Sequence, residues 1–372
     1  MTGEAPRILV SAGEPSGDLH GAAVVAALRA RLPAATVEAV GGPRMAAAGA
    51  RIIFPMERLS AMGLVEVVRS LPAHLGLYRR LAAGFGRREW DLYLPIDYAD
   101  FHMRAAGAAH RAGVRVLYFI PPQLWAWRPG RARALAAAVD RLAVILPFEP
   151  AFFSGLGLPA TYVGHPLLDR PAAPSREAAR ARLGVAADAR VLALFPGSRA
   201  QEVRSHWDTF RATAERLRAE GRCTEVVVAA TAAGQYPSAE GVRLAHDPAA
   251  VLAAADACLA KSGTTTLEAA LAGVPMAVAY RVHPVTFAIA RRLATVQWVS
   301  LVNLIAGREV VPELLQQRMT VGALADTLGP LLTDGTPERE AQRRGLSEVR
   351  SRLGAPGAAG RVASLAADLL AA

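Results

Sequence analysis

The chain has 372 residues, 52% of them hydrophobic and 20% charged, which suits a folded protein with a sizeable core and excludes a disordered tail. At roughly 150 residues per domain that is about two domains. The balance of 42 basic against 32 acidic residues gives +10, nearly all from arginine, and Lys261 is the single lysine. Such a field suits nucleic acid, phosphorylated small molecules or an anionic membrane, and does not choose among them.

Residues 1–6 lead straight into a strand-like run, Arg7 to Ser11, so no secretory leader is expected. The junction after it, Ser11-Ala12-Gly13-Glu14-Pro15-Ser16-Gly17-Asp18, has glycines for a tight turn and polar groups that can face a ligand. Ser16 or Asp18 can also cap the helix expected over Gly21 to Arg31. The spacing is not G-x-G-x-x-G, which counts against a dinucleotide site. A strand over Thr36 to Val40 follows.

Met62, Val65, Val68, Leu71 and Leu75 then recur at helical spacing beside Arg69, Arg79, Arg80, Arg87 and Arg88, and Pro72 should kink or end that helix. An apolar stripe beside basic residues packs on a core or lies in an anionic membrane interface.

The strand Asp91 to Ile96 runs into Asp97-Tyr98-Ala99-Asp100-Phe101-His102. Asp97, at the strand's carboxyl end, suits a general base, while Asp100 reads as a helix cap. After a strand over Val114 to Ile120 comes Pro121 to Arg131, in which Trp125, Trp127 and Arg128 form either a packed aromatic corner or a surface for a sugar and a phosphate. Only this loop interleaves aromatic and basic residues, which argues against a nucleic-acid module.

Prolines interrupt the pattern between Gly164 and Arg182, and it then restarts. Strands are expected over Arg190 to Phe195, Glu225 to Ala230, Val242 to Leu244, Ala257 to Ala260 and Pro275 to Ala279, with helices between them. The fold class is therefore α/β, two doubly wound Rossmann-like halves facing a central cleft, with motifs expected at the carboxyl ends of the strands.

Two such ends stand out. Gly197 and Ser198 offer amides at a helix start, with Arg199 adding positive charge; Ser262, Gly263, Thr264 and Thr265 repeat the arrangement, with Glu268 a turn further on and able to accept from ribose hydroxyls. Either alone is matched by a capping box, but two in one domain point to a nucleotide diphosphate. Asn303, Arg308 and Glu309 line the same cleft or form a structural ion pair. His165, His206, His246 and His283 lack paired zinc spacing, so no metal and no cofactor are expected. The last stretch, Pro337 to Ala372, reads as helical and able to cross back onto the first domain.

Taken in order, AGEPSGD, IDYADF, WAWRPGR, LPFEPAFF, VGHPL, PGSR, SGTTTLEAAL and SLVNLIAGREVVPELLQ, between about Ile8 and Gln316, resemble the lipid-A-disaccharide synthase family of inverting GT-B glycosyltransferases. The resemblance implies transfer of 2,3-diacylglucosamine from UDP to the 6-hydroxyl of 2,3-diacylglucosamine 1-phosphate, giving a β-1,6-linked disaccharide 1-phosphate and UDP. It implies Asp97 as base, Arg199 on the donor phosphate, Ser262, Gly263, Thr264 and Glu268 around diphosphate and ribose, and Asn303 near the donor. Residues 1–168, joined by a helix over 350–372, would take the acceptor and face the membrane, with Gly13, Glu14, Ser16, Asp18, Trp127 and Arg128 at the cleft and Met62, Val65, Val68 and Leu71 against acyl chains. Residues 169–349 would take the UDP-sugar.

Peripheral attachment to the inner face of the cytoplasmic membrane is expected, with a homodimer left open. The usual I-D-A-P-D-F reads Ile96-Asp97-Tyr98-Ala99-Asp100-Phe101 here, the serine of S-x-W-A-W is Gln123, and Lys261 replaces a small uncharged residue. The alternatives are another UDP-sugar enzyme of the same fold, such as a 2-epimerase, or a membrane-binding paralogue without catalysis.

Overall fold

The structure, a computed structural model, describes residues 5–59, 64–126 and 129–372. The chain divides into two compact units, one of residues up to Arg170 together with Ala355–Ala372, the other Pro171–Gly354.

The first unit runs β1 (Arg7–Ser11), α1 (Pro15–Arg31), β2 (Thr36–Gly41), α2 (Pro43–Ala47), β3 (Arg51–Pro55), α3 (Leu64–Gly86), β4 (Leu92–Pro95), α4 (Ala99–Arg111), β5 (Arg115–Phe119), α5 (Ala132–Ala136), β6 (Arg141–Val144), α6 (Glu149–Ser154) and β7 (Ala160–Tyr162). Its seven strands form a parallel sheet in the order β3-β2-β1-β4-β5-β6-β7. Alternate strand residues feed two cores, as the period of two requires. Leu9, Tyr93, Val116 and Tyr118 pack with Leu77, Leu81 and Phe85 of α3. Ile8, Val10, Leu92 and Leu117 pack on the other face with Val24, Val25 and Leu28 of α1.

The second unit holds α7 (Arg176–Leu183), β8 (Val191–Phe195), α8 (Ala200–Ala219), β9 (Glu225–Ala229), β10 (Arg243–Ala245), α9 (Pro248–Ala254), β11 (Ala257–Lys261), α10 (Thr264–Leu271), β12 (Met276–Tyr280), α11 (Pro284–Leu293), α12 (Leu301–Ala306), β13 (Glu313–Leu315), α13 (Val321–Leu332) and α14 (Pro337–Leu353). Its sheet is also parallel, ordered β10-β9-β8-β11-β12-β13. The α8 residues Val203, Trp207, Phe210, Ala214 and Leu217 keep helical spacing and cover Leu192, Leu194, Val226 and Val228. The final helix, α15 (Ala358–Ala371), belongs to the first unit, where Val362, Ala363 and Ala366 complete the core beside α1.

Several expectations need correction. The first helix begins at Pro15, not Gly21, because proline suits the first helical turn; Ser16 and Asp18 therefore lie inside the helix and do not cap it. Helix α3 runs through Pro72 without ending. The N-terminal flank of α4 is Tyr98, and Asp100 instead pairs with Arg131 at 2.8 Å. Strands β3, β6, β7 and β13 were not foreseen. No described helix is long and apolar enough to cross a membrane.

Candidate active site

In the first unit β1 and β4 are neighbours, so their carboxyl ends bring Gly13 and Glu14 beside Asp97 and Tyr98. Asp97 and Tyr98 are consecutive non-glycine residues in the left-handed region, at φ +51° and +55°. Each such residue costs about 1–3 kcal/mol and persists only where its surroundings hold it. Here the Asp97 N–H donates to Phe119 O at 3.1 Å, and its carbonyl accepts from His102 Nδ1 at 2.7 Å and from the Tyr118 hydroxyl at 2.9 Å.

A carbonyl can only accept, so the His102 proton is on Nδ1. That leaves Nε2 to accept from the Ser11 hydroxyl, 2.9 Å away. Burial pushes His102 down to about 4, so the ring is neutral near pH 7 and this tautomer is maintained. The Asp97 carboxyl is raised above the ordinary carboxylate range, chiefly by burial; a hydrogen bond from the Tyr98 backbone opposes this and the charge of Glu14 adds to it.

Gly13 must be glycine because a Cβ there would run into the Tyr98 ring. The Tyr98 hydroxyl in turn hydrogen-bonds His74 Nε2 on α3. Asp18 has a different part. It is buried, and its carboxylate accepts from the backbone N–H groups of Gly42 (2.8 Å), Arg44 (3.1 Å) and Met45 (3.3 Å), closing the start of α2. Trp125 is buried and donates to Glu149 at 2.9 Å, which makes it part of a packed corner. Burial raises Glu149 to about 7.

In the second unit β8 and β11 are adjacent and parallel, so Gly197, Ser198 and Arg199 stand at the same edge as Ser262, Gly263, Thr264 and Thr265. Gly197 (φ +144°) and Gly263 (φ +154°) provide the two sharp turns into α8 and α10. Gly263 flanks α10 and has no side chain to close a capping box with Glu268. Arg199 is exposed, and its guanidinium reaches no carboxylate among the described residues.

The loop amides at α8 are already engaged. Glu202 Oε2 accepts from Ser198 N–H at 2.9 Å and Arg199 N–H at 3.4 Å, while Oε1 lies 2.8 Å from Lys261 Nζ. The Ser262 hydroxyl donates to Val299 O at 2.9 Å.

Asn303 is fully buried and its amide is saturated. Nδ2 donates to Val311 O and Glu313 Oε1, and Oδ1 accepts from Val310 and Val311 N–H. Glu313 in turn receives Val299 and Ser300 N–H, so Asn303 braces the backbone that holds Ser262 and offers no free group to a ligand. Arg308 and Glu309 precede β13, at the opposite sheet edge from the two glycine loops, and Arg308 pairs with Glu348 at 2.5 Å.

Met62, Trp127 and Arg128 lie outside the described residues, as do the side chains of Val65 and Val68; Leu71 and Leu75 of α3 are exposed. Two groups escape the sequence reading, and the role of a third is not visible in it. The Lys261–Glu202 pair needs the adjacency of β8 and β11, and the brace that His102 makes on the Asp97 carbonyl needs its burial to be known. A cavity of about 810 Å³ at the carboxyl ends of β12 and β13 joins Val282, Pro284 and Phe287 to Arg281, Arg291 and Arg292, a lining suited to an anionic amphiphile. No cluster of three or more metal-ligating side chains occurs among the described residues.

A family profile described as lipid-A-disaccharide synthetase matches residues 8–355. Curated lipid-A-disaccharide synthases are similar along their length. That of Myxococcus xanthus is 41% identical, covering 98% of each chain, and that of Pseudomonas aeruginosa is 43% identical over 90% of this chain and 91% of its own. Two solved structures share the fold. The UDP-GlcNAc 2-epimerase of Neisseria meningitidis bound to UDP-GlcNAc superposes with a TM-score of 0.62 at 11% identity, covering 98% of this chain and 99% of its own. The glycosyltransferase of kitacinnamycin does so with 0.61 at 18% identity and the same coverage.

Proposed function

The chain belongs to the lipid-A-disaccharide synthetase family, and from that premise we propose how its two units divide the reaction. The enzyme is a UDP-sugar-dependent glycosyltransferase of lipid A synthesis with two Rossmann-like parallel-sheet domains. Its donor is UDP-2,3-diacylglucosamine and its acceptor 2,3-diacylglucosamine 1-phosphate. The second unit takes the donor, with the diphosphate at the starts of α8 and α10, Arg199 on the β-phosphate and Glu268 toward the ribose. The first unit presents the acceptor to Asp97.

The observation that carries this reading is the pairing of two glycine-bearing helix starts on adjacent strands, with an exposed guanidinium beside them that reaches no carboxylate among the described residues. Helix-start amides and a fixed cation suit the charge that develops on departing UDP. Asp97 takes the proton of the 6-hydroxyl as that oxygen attacks the anomeric carbon from the face opposite UDP. The left-handed backbone of Asp97 and Tyr98, pinned through one carbonyl by His102 and Tyr118, supports a fixed carboxylate at this position.

Peripheral attachment to an anionic membrane rests on α3, where Leu71 and Leu75 are exposed and Arg79 and Arg80 lie one to two turns on.

Release of UDP from purified enzyme given both lipids tests the assignment. Arg199→Ala should slow turnover about a hundredfold, the usual loss for one transition-state donor. Near-normal turnover would remove Arg199 from the mechanism. UDP-sugar turnover without the acceptor would favour the epimerase reading.

A further inference from the structure

Lys261, the last residue of β11, carries the chain's only lysine side chain, and it lies between the two helix starts. Its Nζ is 2.8 Å from Glu202 Oε1, 5.4 Å from the centre of the Tyr280 ring, and 3.5 Å from where a Cβ on Gly263 would stand. The ammonium thus covers the bare backbone that opens α10 while it holds a carboxylate that belongs to α8. Both side chains are only 18% exposed.

The other Glu202 oxygen receives the N–H groups of Ser198 and Arg199. Burial alone would raise this carboxyl, yet the hydrogen bond and charge of Lys261 and the two loop amides hold it below the ordinary range, so it is an anion. A carboxylate therefore occupies the donors at which a phosphate would be held, with a cation neutralising it.

We propose that Glu202 is an internal stand-in for the donor's diphosphate and that Lys261 is a second phosphate-binding cation beside Arg199. The proposal rests on the donor reading above. On donor binding, the diphosphate displaces the Glu202 carboxylate from the Ser198 and Arg199 amides, and Lys261 exchanges its partner from carboxylate to phosphate. When UDP leaves, Glu202 returns. No covalent bond changes; one ion pair replaces another, and the loop amides are never left without an acceptor. Glu202 then sets donor affinity by competing for the same groups, and it eases product release.

Calorimetric titration with UDP at fixed low salt tests this on four proteins. Lys261→Met, which keeps the stem and removes the charge, should weaken binding about tenfold, the range of one charge-assisted hydrogen bond. Glu202→Gln keeps an acceptor for Ser198 N–H and removes the negative charge; it should tighten UDP binding about threefold or more. Unchanged affinity in Lys261→Met, or weaker binding in Glu202→Gln, overturns the inference. Arg199→Ala reports on the underlying reading: if it weakens UDP while the Lys261 and Glu202 variants do not behave as stated, the donor site stands and only this inference fails. If Arg199→Ala also binds UDP normally, the donor reading itself fails.

An arm on unaltered protein avoids any folding defect. Lys261 is the only ε-amine, so trinitrobenzenesulfonate modification of its peptide, read by mass spectrometry, is unambiguous. Lys261 is already ion-paired with Glu202 in the free protein, so protection comes from the bound nucleotide covering the amine: UDP should slow that modification, and an unchanged rate contradicts a Lys261–phosphate contact.

Discussion

Asp97 stands out as a candidate base because it ends a predicted strand three residues before a better-placed helix cap. Asp100 caps nothing and pairs with Arg131, because capping depends on elements distant in sequence. The raised Asp97 pKa gives a signed prediction. A general base works as the carboxylate, so activity is lost as pH falls through its folded-state value, and the acid limb of kcat/KM should lie above the ~3.9 of a free aspartate. Since the Glu14 charge contributes to the rise, Glu14→Gln should move that limb to lower pH. A limb that stays put or moves upward in the pH–rate profile would remove Glu14 from the electrostatics of the base.

For the elements, most strands and helices follow from periodicity, whereas β3, β6, β7 and β13, of five, four, three and three residues, do not; runs this short carry little periodicity, although the three-residue β10 is still expected. Pro72 does not end α3, so the roughly 3 kcal/mol or more that an interior proline costs is offset by the rest of the fold. Asp18 shows why a local reading of a motif misleads: its carboxylate lies on α1 but closes the start of α2, since β1 and β2 are paired. Asp18→Ala would leave buried amides of Gly42 and Met45 without an acceptor and should lower unfolding stability by about 2–3 kcal/mol. Chemical denaturation measures it, and a loss well under 1 kcal/mol would mean that water replaces the carboxylate. For α3, Leu71→Glu with Leu75→Glu should abolish sedimentation with anionic vesicles while leaving UDP affinity unchanged. Undiminished sedimentation would place the membrane contact elsewhere.

Across the whole molecule, two parallel sheets could be foreseen from the way strand and helix patterns restart after the proline-rich stretch that begins at Gly164. The return of the chain into the first unit was harder to define. Pro337 to Ala372 reads as one helical stretch, yet Gly354 to Gly357 divide it, leaving α14 with the second unit and giving α15 to the core of the first. The two glycine loops proposed for the donor share an edge for a topological reason: a parallel sheet gathers the carboxyl ends of its strands, so motifs 65 residues apart, at Ser198 and Gly263, lie together. Arg308 and Glu309 do not share that edge, because they precede β13 at its amino end.

The most direct measurement is a crystal structure of the enzyme grown with UDP. The β-phosphate should lie within hydrogen-bond reach of the Arg199 guanidinium and the amides that open α10, with the ribose toward Glu268. A nucleotide bound on the first unit, or at the Arg308–Glu309 edge of the second, would contradict it.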